Sequence, residues 1–259
     1  MIAQVQLFDF FIAVERSARP DLDGRPLIVG GLQAGRGLVA LASQEARDLG
    51  VCTGMRMADA LAAAPGAVCL PGSIERYLEV SAQIDERLRK YTARIEWSAV
   101  DEAWMQLETR SRLDELRAEL QRDFGIGAAV GVGSTKAVAA VAARLVAPAG
   151  MLLVLPGYEA RLLAPLDISR LPGLTGSQLT RLRGAGVQSL GALASLDEAV
   201  LHDLIGRGGS VLARHALGLD DRALTPADVP KGIARAAFFG SCGGSQARGA
   251  IAPSWCSSN

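Results

Sequence analysis

Arg94-Ile95-Glu96-Trp97-Ser98-Ala99-Val100-Asp101-Glu102-Ala103-Trp104-Met105-Gln106-Leu107 reads as strand, tight corner, strand. β-branched and aromatic residues fill both arms, and two adjacent carboxylates, Asp101 and Glu102, stand at the corner. Neighbouring side chains on a regular strand point to opposite faces, so this pair shares a ligand only where the chain bends. Carboxylates on the rim of a sheet suit a hard cation such as Mg²⁺, which takes oxygen ligands and keeps several waters. For an isolated Asp-Glu pair a solvated turn is the plainer reading. The flanking sequence decides between the two.

Working outward, Ile74, Tyr77, Leu78, Ser81, Ile84, Leu88 and Tyr91 recur at helical spacing and predict a long amphipathic helix starting at Ser73. Beyond the corner, Leu113, Leu116 and Leu120 mark another helix. A strand over 127–132, a helix over 135–145 and a strand over 151–154 follow. The chain opens with a strand over 2–8, in which Val5 and Leu7 share one face and Gln4, Gln6 and Phe8 the other. Residues 10–71 read as a small inserted α/β lobe. It has strands over 26–29, 38–42 and 68–70, a helix capped by Ser43 and ended at Gly50, and a short helix over 58–64. Without the lobe and one helix, the order is that of a ferredoxin-like α+β sheet with helices on one face.

The composition excludes several classes of function. Formal net charge is zero, so a nucleic-acid partner needs a local basic patch rather than bulk charge. Aromatics at 5% argue against a base-stacking platform. The four cysteines form no Cys-x-x-Cys and there are two histidines, so no zinc site is expected. There is no signal peptide and no apolar run long enough to span a bilayer, which predicts a cytoplasmic protein without a membrane partner. Gly133-Ser134-Thr135-Lys136 has its Lys in the wrong place for a phosphate-binding loop of the Walker type.

Residues 164–226 change character to short helical spacings without strand signal. Leu171-Pro172-Gly173-Leu174-Thr175-Gly176, followed by Leu179, Leu182, Gly186 and Val187, looks like a helix-hairpin-helix unit. Its glycine turn and helix N-terminus can offer backbone N–H groups to a DNA phosphate, while an ordinary helix–helix turn explains the same pattern. From Lys231 onward neither period two nor period 3.6 is present, which predicts disorder.

Taken in order, several stretches resemble the Y-family translesion DNA polymerases of the UmuC/DinB type. They are Asp9-Phe10-Phe11-Ile12-Ala13-Val14-Glu15, Gln44-Glu45-Ala46-Arg47-Asp48-Leu49-Gly50-Val51, Tyr91, the Asp101-Glu102 corner, Gly131-Val132-Gly133-Ser134-Thr135-Lys136, and the Pro172-Gly173 hairpin. The resemblance covers residues 1–226. It implies a palm over 1–9 and 72–163, a fingers lobe over 10–71 and a helical thumb over 164–226. Residues 227–259 are then a disordered or truncated tail, too short for the family's little-finger domain.

The resemblance also implies functional residues. Asp101 and Glu102 match two of three carboxylates that hold two Mg²⁺ ions, which activate a primer hydroxyl and stabilise the leaving pyrophosphate. Gln6 falls where the third carboxylate stands in the family, and a neutral amide cannot bridge two dications. Asp9 lies three residues further on, about 10 Å along an extended strand, so it completes the site only through a bulge or slipped register. Phe10 and Phe11 match nucleotide-binding positions, Phe11 that of the aromatic that excludes a ribose 2′-hydroxyl. Arg47 matches a phosphate-pairing Arg. Gln44, Leu41 and Ala147 replace the family's other triphosphate partners. Gly173, Gly176 and Gly186 match positions in the DNA-binding helix-hairpin-helix.

This pattern is similar to the catalytically degenerate ImuB-type members, and it predicts an impaired protein of DNA repair that binds primer–template DNA without sequence preference, with other repair or replication proteins as further partners. An active Mg²⁺-dependent polymerase with a remodelled metal site is the alternative. A truncated, decaying gene product is a third, suggested by the change of composition after Phe239.

Overall fold

The computed structural model describes residues 1–31, 37–108 and 112–230. The expected disorder after Lys231, and part of the glycine-rich turn over 30–37, fall outside them. In chain order the strands are β1 (Ile2–Phe8), β2 (Leu27–Gly30), β3 (Val39–Ala42), β4 (Val68–Leu70), β5 (Ile95–Ala99), β6 (Glu102–Gln106), β7 (Gly127–Gly133) and β8 (Gly150–Leu153). The α-helices are α1 (Phe10–Ala18), α2 (Gln44–Asp48), α3 (Met57–Ala63), α4 (Ile74–Leu88), α5 (Leu113–Phe124), α6 (Lys136–Val146), α7 (Glu159–Leu163), α8 (Gly176–Gly184), α9 (Leu190–Ala194), α10 (Glu198–Ile205) and α11 (Gly209–Ala216).

β1 is central in a sheet ordered β5-β6-β1-β7-β8. Its pairings with β6 and β7 are antiparallel, as is β5 with β6, and β8 joins parallel to β7. With α4 between β1 and β5, and α5 between β6 and β7, this is the expected ferredoxin-like order. The alternation in β1 explains its two faces. Ala3, Val5 and Leu7 bury against Ile84 and Leu88 of α4 and Leu116 and Leu120 of α5.

The further helix of this lobe, α6, lies on the other face of the sheet. Ala139 and Ala140 pack there against Trp104. Gly131 permits the close approach, because a Cβ at that position would strike the Ala139 carbonyl oxygen and the Ala143 amide nitrogen.

The inserted lobe is a three-stranded sheet ordered β3-β2-β4, with a core of Ile28, Val39, Ala46, Met57 and Ala60. Ser43 N-caps α2 by accepting from Ala46 N–H, and its Oγ also accepts from Leu27 N–H at 3.0 Å, tying helix to strand.

The helices after β8 have a core of their own, including Leu163, Ile168, Leu182, Leu193 and Ile205, into which Val138 and Val141 of α6 also reach. The chain then returns to the five-stranded sheet. Thr135 Oγ1 donates to Gly218 O at 3.0 Å, and Asp220 accepts from Ala137 N–H at 3.0 Å at the start of α6. Ala227, placed at the head of the expected tail, is instead paired with β5: its N–H donates to Ile95 O and its carbonyl accepts from Trp97 N–H.

Candidate functional site

The carboxylate corner is built by a bulge. The β5–β6 register shifts between Trp97 and Ala99, so the chain bends where the sequence requires it. Leu7 N–H donates to Asp101 O at 2.8 Å, and Ser81 Oγ of α4 donates to Val100 O at 2.8 Å. These bonds pin the corner to both β1 and the helix behind it.

Asp101 is 6% exposed. Burial pushes its carboxyl up to about 6; its own backbone N–H opposes that shift and the neighbouring Glu102 charge adds to it. Glu102 Oε1 accepts from Ser98 Oγ at 2.5 Å.

Gln6 is directly opposite Glu102 in the β1–β6 register, as Gln4 is opposite Trp104. Directly opposed residues share a face, so Gln6 and Glu102 stand together on the face that α6 partly covers. Arg144 of α6 belongs to the same neighbourhood. Burial lowers its pKa, while the Glu102 charge supports its guanidinium. Among the described residues no three His, Cys, Asp or Glu side chains are grouped as a metal cluster.

Asp9 does not reach the corner. It follows β1 with a left-handed backbone, φ 48°, at the N-cap position of α1, and its side chain makes no capping bond. Its carboxylate turns instead to Arg47 of α2: Nη1 donates to Oδ1 at 2.9 Å and Nη2 to Oδ2 at 2.8 Å. Nothing in the local sequence signals this ion pair between residues 38 positions apart.

Phe10 and Phe11 are core residues. Phe10 is fully buried and Phe11 is 5% exposed. Phe10 meets Phe11 edge-on at 5.2 Å, and Phe11 meets Tyr77 at 4.8 Å. Phe10 therefore presents no surface to a nucleotide, unlike the expectation for that position, and Phe11 presents a sliver. Tyr77 Oη donates to the buried Glu15 at 2.7 Å, which accounts for the polar atom beneath this aromatic cluster.

Gly173 has φ 95° in the turn before α8, and Gly176 is the first residue of that helix. A capping box formed by Thr175 and Gln178 fixes the turn. The first N–H groups of α8 have no intrahelical acceptor and point out of its end. Gly186 lies beyond the opposite end of α8, about 15 Å away along the axis, so it does not join the hairpin.

Unforeseen from sequence is the joint between β5, α6 and the returning chain. Lys136, 5% exposed, bonds both oxygens of Glu96 at 2.7 Å and lies 5.6 Å from the Trp104 ring centroid. Thr225 N–H donates to Glu96 Oε2 at 2.6 Å.

Residues 6–144 match the impB/mucB/samB family, more than half of the chain. The chain belongs to this family of Y-family, DinB/UmuC-type polymerases. The chain is 32% identical over 246 residues to DNA polymerase IV of Dehalococcoides mccartyi (strain CBDB1), covering 92% of this chain and 63% of that protein. It thus spans less than two thirds of this curated relative. DinB from Sulfolobus solfataricus superimposes with a TM-score of 0.80 at 28% identity, over 87% of this chain and 70% of that one. Dbh DNA polymerase in an insertion ternary complex gives 0.78 at 28% identity, over 86% and 69%. In this Y-family chain the five-stranded sheet and the inserted lobe are the palm and fingers.

Proposed function

We propose that this chain is a DNA-binding or accessory Y-family protein of DNA repair whose own nucleotidyl transfer is lost or severely reduced. The observation that carries the reading is Gln6 opposite Glu102. A pair of divalent cations needs a bridging anion and metal–oxygen distances near ~2.1 Å. Two carboxylates and a neutral amide do not fit that demand. Asp9, the acid that follows β1, is bonded to Arg47. Asp101 and Glu102 could still hold one Mg²⁺ through waters. Loss of one ligand or charge-stabilising donor costs a few kcal/mol, on the order of a hundredfold in rate.

DNA contact is assigned to the helical region 164–226 as a thumb, with the Gly173–Gly176 hairpin offering N–H groups to a backbone phosphate. The likeness to Dbh DNA polymerase in its insertion ternary complex supports primer–template DNA as the ligand class. The decisive test is Mg²⁺-dependent insertion of a single nucleotide on primed DNA. No insertion is expected. Extension by the natural chain that Asp101→Ala abolishes would establish the second reading, an active polymerase with a remodelled metal site, which retention of Asp101 and Glu102 favours.

A further inference from the structure

The Arg47 guanidinium has five N–H donors, and the structure gives all five an acceptor. Nη1 donates to Asp9 Oδ1 at 2.9 Å and Ala42 O at 2.6 Å. Nη2 donates to Asp9 Oδ2 at 2.8 Å and Gln44 Oε1 at 2.9 Å. Nε donates to Gln44 Oε1 at 3.3 Å. Two of these acceptors, Ala42 O and Gln44, belong to the fingers and orient the fork. The other two are the carboxylate oxygens of Asp9, one on each terminal nitrogen. A planar fork with two parallel N–H groups suits a carboxylate or a phosphate equally. Both side chains are 30% exposed, so the pair stands at the surface, where an anion in solution can compete.

The backbone at Asp9 shows the same arrangement. At the N-cap of a helix an Asp usually accepts from the first turn's N–H groups. Asp9 makes no such bond and sits at φ 48°, a conformation that non-glycine residues adopt sparingly. The left-handed backbone aims its carboxylate across to the fingers.

We propose that Asp9 is a resident anion that fills a polyphosphate seat on Arg47, and that removing its charge opens this seat to the triphosphate class of ligand. This rests on the likeness of Arg47 to the family's phosphate-pairing Arg and on the loss of nucleotidyl transfer proposed above. It adds an occupied arginine to the replaced partners Gln44, Leu41 and Ala147 as a reason to expect a weak triphosphate grip.

The test titrates the full chain with inorganic triphosphate in the presence of a chelator, without DNA, by calorimetry. Asp9→Asn, which keeps the shape and tolerates the left-handed backbone, is expected to bind at least about tenfold tighter than the natural chain. Arg47→Ala added to Asp9→Asn should remove the gain. Equal affinity of the natural chain and Asp9→Asn overturns the proposal, as does a gain that survives Arg47→Ala. If Asp9→Asn does not fold, Asp9→Gly takes its place, since glycine accepts this φ freely, and it is read in the same way. Because metal and DNA are absent, failure here leaves the primer-extension result standing on its own.

Discussion

Gln6 is the residue on which the proposed loss of catalysis rests. It faces Glu102 across the β1–β6 ladder with an amide that carries no charge. Gln6→Asp adds an anion on the same face. Divalent-cation affinity, followed by Mn²⁺ titration, is expected to rise by about tenfold over the natural chain; no change would remove Gln6 as the cause of a poor metal site. Arg144 tempers the gain, because its guanidinium, which feels the Glu102 charge, adds a positive charge near the site. Arg144→Gln in the Gln6→Asp background should therefore raise affinity further. Asp101 and Glu102 were legible in the sequence because a bend between apolar strands is a local pattern. The Asp9–Arg47 pair was not, because its partners lie on different lobes and meet only after the fingers pack on the palm.

At the scale of elements, α6 connects the molecule's parts, touching β1 and β7 on one side and the helical region on the other. Gly131→Ala places a Cβ into the α6 backbone, which cannot yield as a side-chain tip could. A loss of about 3 kcal/mol in urea unfolding is expected; a neutral result would show that α6 moves freely over the sheet. At the start of α6, Asp220 is held at about 2. Burial opposes this, but hydrogen bonds from Arg222, the Arg222 charge and His215 outweigh it. A folded pKa below the unfolded value means stability that is present above about pH 4 and lost as pH falls through 2. The contribution is on the order of 2 kcal/mol. Asp220→Asn should thus cost stability at pH 6 and little at pH 2; an equal cost at both would assign the loss to packing. The helix was readable from spacing, though it was expected to begin at Thr135, which instead caps it. Asp220 as the second anchor was not, since it arrives from 83 residues away.

For the whole molecule, zero net charge and the single hairpin proposed to meet DNA predict weak, sequence-independent DNA binding with two or three phosphate contacts. The log–log salt slope on duplex DNA is then about −2 to −3, measurable by fluorescence anisotropy. Nanomolar affinity that persists at high salt would require a contact surface not identified in these lobes. Local pattern alone determined the element order, the ferredoxin-like class, the inserted lobe and the carboxylate corner, because strand alternation, helical spacing and turn residues act over a few positions. Tertiary structure alone decided which face α6 covers, that Phe10 is sealed in the core, that Arg47 is spent on Asp9, and that Lys136 and Glu96 clasp the returning chain. Each of these depends on charges or surfaces brought together from distant sequence, where burial and hydrogen-bond geometry, rather than residue type, set what a side chain can do.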